Sequence, residues 1–104
     1  MLFTGATASL RGSAGFVNLA SPKFALRALA QSMARELGPH RIHVVHAIID
    51  GQIRSERYQI LLAEGAADSV LEPDAIADAY LSIHRQQRSA WTLELDLRPW
   101  GEKF

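Results

Sequence analysis

Hydrophobic positions along the chain change period several times, and each change marks an element. Met1-Leu2-Phe3-Thr4 is a short apolar run stopped by Gly5, the mark of a strand covered on both faces, over 1–5. From Ala20 to Leu37 the residues Phe24, Leu26, Leu29, Ala30, Met33 and Leu37 recur at three- and four-residue steps, with Arg27, Gln31, Arg35 and Glu36 on the other side. That pattern predicts one long amphipathic helix over 20–37. Ser21 or Asn18 offers a cap, Pro22 suits the first turn, and Gly38-Pro39 supplies a left-handed-tolerant stop followed by a residue that cannot continue. Ile42-His43-Val44-Val45-His46-Ala47-Ile48-Ile49 is β-branched and apolar nearly throughout, which predicts a second strand over 42–49 buried on both faces.

Beyond Asp50-Gly51 the pattern weakens. Ser55–Gly65, with Tyr58, Ile60, Leu61 and Leu62, reads as a short helix, and Ala66–Leu71 as loop. Pro73, Asp74 and the apolar face of Ile76, Ala79, Tyr80 and Ile83 predict a helix over 74–85. Trp91 to Arg98 then alternates large apolar and polar residues at period two, a strand over 91–98 with one wet face at a sheet edge. Strand, long helix and buried strand make a right-handed βαβ unit. The fold class that follows is α/β, a mainly parallel sheet of three strands in order one-two-three with flanking helices, in a single domain over 1–104.

Composition narrows the function classes. An apolar fraction of 48% is ordinary for a soluble domain with a real core. Eleven basic residues balance eleven acidic ones, so no net field collects nucleic acid or an anionic membrane. With no cysteine, disulfides and thiolate chemistry are excluded. No apolar run approaches the roughly 18 residues of a membrane span, and a cytoplasmic location is expected.

Several constellations invite chemistry. The loop Gly5-Ala6-Thr7-Ala8-Ser9-Leu10-Arg11-Gly12-Ser13-Ala14-Gly15 is glycine-rich but carries neither a P-loop nor a dinucleotide fingerprint. His40, His43 and His46 could suggest a metal, but on a strand 40 and 46 share a face and 43 opposes them, so no metal site is expected. His84 complements a helix end, Trp91 and Trp100 are expected to pack the last strand and tail, and no Gly-x-Ser-x-Gly elbow exists. Lys23 stands apart, because a cation in the first turn of a helix is disfavoured by the dipole unless it has a partner.

These residues resemble the C-terminal half of the short-chain dehydrogenase/reductase family over essentially the whole chain. Lys23 fits the lysine of the family's Tyr-x-x-x-Lys pattern, within Ala20-Ser21-Pro22-Lys23-Phe24-Ala25-Leu26. Ala30-x-x-Met33-Ala34-x-Glu36-Leu37-Gly38-Pro39 and Ile42-x-Val44 resemble the helix and strand that follow it. Asp50-Gly51-Gln52-Ile53-Arg54-Ser55 is similar to the family's Pro-Gly-x-Ile-x-Thr at Gly51, Ile53 and Ser55, and Glu72-Pro73-Asp74-Ala75-Ile76-Ala77 to its Pro-Glu-Asp-Ile-Ala helix start. The resemblance implies the second half of a Rossmann-type domain, with Lys23 in the catalytic and ribose-side role and Gly51, Ile53 and Ser55 beside an NAD or NADP cofactor.

Two departures decide what such a site does. Leu19 stands where the family has its tyrosine, and Ala6 where it has its serine. In the family the tyrosine exchanges the substrate proton, the lysine lowers its pKa, and the serine orients the carbonyl; leucine and alanine do none of this. The chain begins at what would be the fifth strand, so the glycine-rich cofactor segment has no counterpart. The expectation is a truncated relative of NAD(P)-dependent oxidoreductases, a pseudoenzyme on its own, taking a carbonyl or alcohol substrate only if the missing half is supplied. An incomplete reading frame would have the same appearance. The competing expectation is a non-catalytic module that self-associates through helix 20–37. Substrate identity and NAD against NADP are not encoded in these residues.

Overall fold

The computed structural model describes residues 1–56 and 67–104. Strands β1 (Leu2–Ala6), β2 (Val45–Ile49) and β5 (Glu94–Leu97) form one sheet in the order β1-β2-β5. Both pairings are parallel, with Phe3 opposite His46 and His46 opposite Glu94. The three-stranded parallel sheet and its order are as the periodicity predicts. β2 is central and buried along its whole length, which is why it reads as an unbroken apolar run.

Two further strands, β3 (Gln52–Ile53) and β4 (Val70–Leu71), pair in parallel as a small separate sheet. The expected loop over Ala66–Leu71 is therefore corrected. Ala67–Ser69 form a 3-10 turn, and Val70 and Leu71 are buried. The helix expected over Ser55–Gly65, Tyr58 included, lies mostly outside the described residues.

Helix α1 runs Val17–Leu37 and α2 runs Pro73–His84. They cover opposite faces of the sheet. Residues alternate between faces along a strand, and register partners share a face. Arg27 of α1 bonds Glu94, on the face of Phe3 and His46, whereas Tyr80 of α2 bonds Thr4 on the other. Glu94 thus turns its carboxylate to α1, and the supposedly wet face of the last strand is partly covered.

α1 departs from expectation in three ways. It starts at Val17 after Phe16 with no side-chain cap, so neither Ser21 nor Asn18 caps it, and Pro22 lies inside the helix. Pro22 has no N–H to give the Asn18 carbonyl, a loss tolerable because both residues are exposed to water. Lys23 is consequently well past the first turn. Secondly, the sheet-facing stripe is the small residues Ala20 and Ala30 together with the stem of Arg27, while Phe24 and Leu29 stay 42% and 48% exposed. Small side chains let the helix approach the sheet closely, which the larger residues of the predicted stripe would prevent. Thirdly, Gly38 keeps right-handed geometry and opens a 3-10 turn, Gly38–His40; the left-handed residue is Arg41, at φ 66°.

No described helix is long and apolar enough to cross a membrane. The histidines are also placed differently. β2 begins at Val45, so His40 and His43 are not on it. His40 is exposed in the 3-10 turn, while His43 stacks on Trp91 with centroids 4.5 Å apart and shares a bond with the Thr92 carbonyl at 2.7 Å. Trp91 packs as expected, but Trp100 does not: it is 91% exposed.

Candidate functional site

The parallel strands β1 and β2 run out at the same edge of the sheet, and both chains turn there into loops. After Ala6 the chain enters a 3-10 turn, Thr7–Ser9; after Ile49 it enters Asp50-Gly51. Between them lies a cavity of about 340 Å³ whose lining includes Ala6, Thr7, Leu19, Ile49 and Gly51, together with the charged Arg11 and Glu102. Carboxyl ends of strands in an open parallel sheet are where ligand clefts form.

The fold thus brings together Ala6, Leu19 and Gly51, which lie far apart in sequence. It does not bring the other three singled-out residues to the cavity wall. The Lys23 ammonium donates to the Thr4 carbonyl at 3.3 Å, two residues before Ala6 on β1. That carbonyl is the partner its charge calls for. Ile53 sits on β3 opposite Leu71 and is 41% exposed, and Ser55 is exposed beyond it.

Gly51 is required by geometry. Its φ of +147° is one L side chains rarely adopt, and a Cβ there would lie 2.8 Å from Pro99 Cδ. Backbone and Pro99 approach so closely here that only glycine fits.

Beneath the cavity is a pair that motif reading passed over. Asp50 is 2% exposed, and the Thr7 hydroxyl donates a short bond to its Oδ1. Its Oδ2 faces Arg98 Nε at 3.5 Å, and its backbone N–H donates to the Leu97 carbonyl at 2.8 Å. Arg98 also pairs with Asp96, and its guanidinium lies 3.8 Å from the Phe104 ring centroid. An acid closing an apolar strand is the only sequence signal of this pair, since a buried carboxylate needs donors.

A second polar cluster supports the cavity from α1's side of the sheet. Ser9 is fully buried and its Oγ accepts the Ala6 N–H at 3.0 Å, so it serves the backbone rather than the cavity. His46 is 1% exposed; its Nδ1 meets Glu94 Oε2 at 3.0 Å, while its Nε2 is buried against Gly5 with no hydrogen-bond partner among the described residues. Arg27 clamps the same carboxylate with two bonds, at 2.9 and 2.8 Å. Burial works to raise the Glu94 carboxyl, but the hydrogen bonds and charges of Arg27 and His46 outweigh it and hold it below the ordinary 4.5.

The cavity can hold a flat apolar group against Ala6, Leu19 and Ile49. It offers no side chain at positions 6 or 19 able to exchange a proton.

No family model matches the chain, and no curated protein matches it. A solved structure does: a short-chain dehydrogenase from Rhodopseudomonas palustris superposes with a TM-score of 0.74 at 48% identity, over 95% of this chain. The chain spans 37% of the length of that protein.

Proposed function

Related as it is to a short-chain dehydrogenase along nearly its whole length, this chain, we propose, is a counterpart of the C-terminal half of an NAD(P)-dependent oxidoreductase. In this reading the cavity at the ends of β1 and β2 is one wall of a nicotinamide and substrate cleft. The observation that carries it is the convergence of Ala6, Leu19 and Gly51, the positions of the family's serine, tyrosine and glycine, on that single cavity.

The residues present fit the nicotinamide end of such a cofactor. Ala6, Leu19 and Ile49 form an apolar floor on which a flat ring can lie, and the bend at Gly51 keeps side-chain bulk out of its way. The bound cofactor would supply the hydride. This chain's own part is positional. Lys23, one turn along α1 from Leu19, places its ammonium at the Thr4 carbonyl, and in this reading it is the residue that would hold the cofactor's ribose. Because Leu19 and Ala6 replace the proton donor and the carbonyl-orienting hydroxyl, the chain binds without turning over a carbonyl or alcohol substrate by itself.

Isothermal titration with NADH and with NADPH tests the reading. Saturable heat in about the micromolar range, lost in Lys23→Ala, is the expected outcome. A flat titration with both dinucleotides refutes it.

The exposed apolar residues of α1 favour a second reading, self-association through that helix. Val17 and Phe24, seven residues apart and so on one side of the helix, are 76% and 42% exposed, and Leu29 is 48% exposed. Sedimentation finding only monomer at roughly tens of micromolar would contradict it.

A further inference from the structure

The opposite edge of the sheet, where β1 and β2 begin, holds a second cavity of about 290 Å³. Leu2, Val45 and Ile83 give it an apolar floor, and Trp91, stacked on His43, gives it an aromatic wall. Arg41, His84 and Arg88 stand around it, and no carboxylate lines it among the described residues.

The charge is uncompensated. Arg27, Arg54 and Arg98 each pair with a carboxylate, whereas Arg41 and Arg88 have no ion-pair partner among the described residues. The wall is also preorganised. The Gln86 side chain donates to Thr92 Oγ1 at 2.8 Å and accepts the Thr92 N–H at 2.9 Å, and His43 holds the Thr92 carbonyl. Two carbonyls near the end of α2, those of Leu81 and Ile83, are taken by the N–H groups of Arg85 and Gln86, which blunts the repulsion a helix C-terminus would offer an anion. Arg41 is held at the rim by a left-handed turn closed through its own N–H to the Gly38 carbonyl at 2.9 Å.

From this geometry we infer that the cavity binds a small organic phosphate: the phosphoryl group between Arg41 and Arg88, the apolar body on Leu2, Val45 and Ile83 beside Trp91. Guanidinium forks match phosphate oxygens, two of them suit a dianion better than a carboxylate, and the His84 ring offers a further hydrogen-bonding nitrogen. The cavity sits near the lower end of small-ligand sites, about 300 Å³, which limits the ligand to a compact one. The inference is independent of the dinucleotide reading, since the two cavities lie at opposite ends of the sheet and share no residue.

Phenyl phosphate is the probe, titrated into the 104-residue chain carrying Trp100→Phe, so that Trp91 is the one tryptophan left. A saturable change in Trp91 emission is expected, with Kd at or below about 1 mM. Arg41 and Arg88 are exposed, so replacing them leaves the fold standing. Arg41→Gln with Arg88→Gln should weaken binding about tenfold or more, while Arg35→Gln, on α1 and outside the cavity, should not. Three results would overturn the inference: no saturation, equal losses in the Arg35→Gln and double variants, or inorganic phosphate binding as tightly as phenyl phosphate.

Discussion

Gly5→Ala puts the packing around β1 to a sharp test. A Cβ at Gly5 would fall deep inside contact distance of His46 Nε2, 2.5 Å from Ser9 Oγ and 3.0 Å from His46 Cε1. Neither neighbour is free to move, because both are buried, His46 is tied to Glu94 and Ser9 to the Ala6 N–H. Swinging the imidazole aside breaks a hydrogen bond to a charged group, about 1.5–3 kcal/mol, and the overpacking that remains costs about 1–3 kcal/mol. Allowing for partial relaxation, the sum is roughly 2–5 kcal/mol. For a domain of this size about 4–8 °C accompanies each kcal/mol, so the melting temperature should fall by roughly 10 °C or more. The sign is informative in itself. Gly5 does not have positive φ, and a glycine-to-alanine change without a clash would stabilise by about 0.4–1 kcal/mol through the unfolded chain. Thermal melts of wild type, Gly5→Ala, His46→Ala and the double variant check the cause: with the imidazole gone, alanine at position 5 should cost much less. A melting temperature for Gly5→Ala at or above wild type, or strict additivity of the two substitutions, would refute this account.

The Glu94 cluster makes stability depend on acid. Its carboxyl titrates below 4.5 in the folded chain, so the folded state binds fewer protons than the unfolded one. The stabilisation is present at pH values above the unfolded value and disappears as pH falls below 4.5 through the folded one. Glu94→Gln should lower stability at pH 7 by ~1 kcal/mol, partial exposure limiting the figure, and urea midpoints should show the gap to wild type closing on acidification. A gap independent of pH from 7 to about 3 contradicts the assignment. Gly51→Ala must accommodate both φ +147° and Pro99 Cδ at 2.8 Å, and should cost about 1–3 kcal/mol in a thermal melt. An unchanged melt would show that Pro99 yields freely.

Legibility in the sequence followed the range of the interaction that decides each feature. Tyr80 and Ile83 reveal a helix because an apolar face repeats within a few residues, and Glu94 to Leu97 reveal a strand because its alternation is local. The pair β3 and β4 escaped, since two-residue strands carry no period. The start of α1 escaped because Phe16 and Val17 bear no capping signal, and Pro22 drew the start forward. Its inward stripe was misread because large apolar residues look more buried than alanines, yet only alanines let α1 lie close to the sheet. At the cavity, Ala6, Leu19 and Gly51 were visible through resemblance, whereas Thr7, Asp50 and Arg98 were not.

The chain's own order of residues determined the three strands of the main sheet and the two long helices, that those strands run parallel, and that positions 6 and 19 lack a hydroxyl. Those properties are written within single elements or single side chains. Tertiary structure alone decided the partners. Arg27 reaches Glu94 across 67 residues, Thr7 reaches Asp50 across 43, and Gly5 has to be glycine because of an imidazole on the neighbouring strand. Such contacts depend on the register of β1, β2 and β5 and on which face each helix covers, and local periodicity carries no information about either.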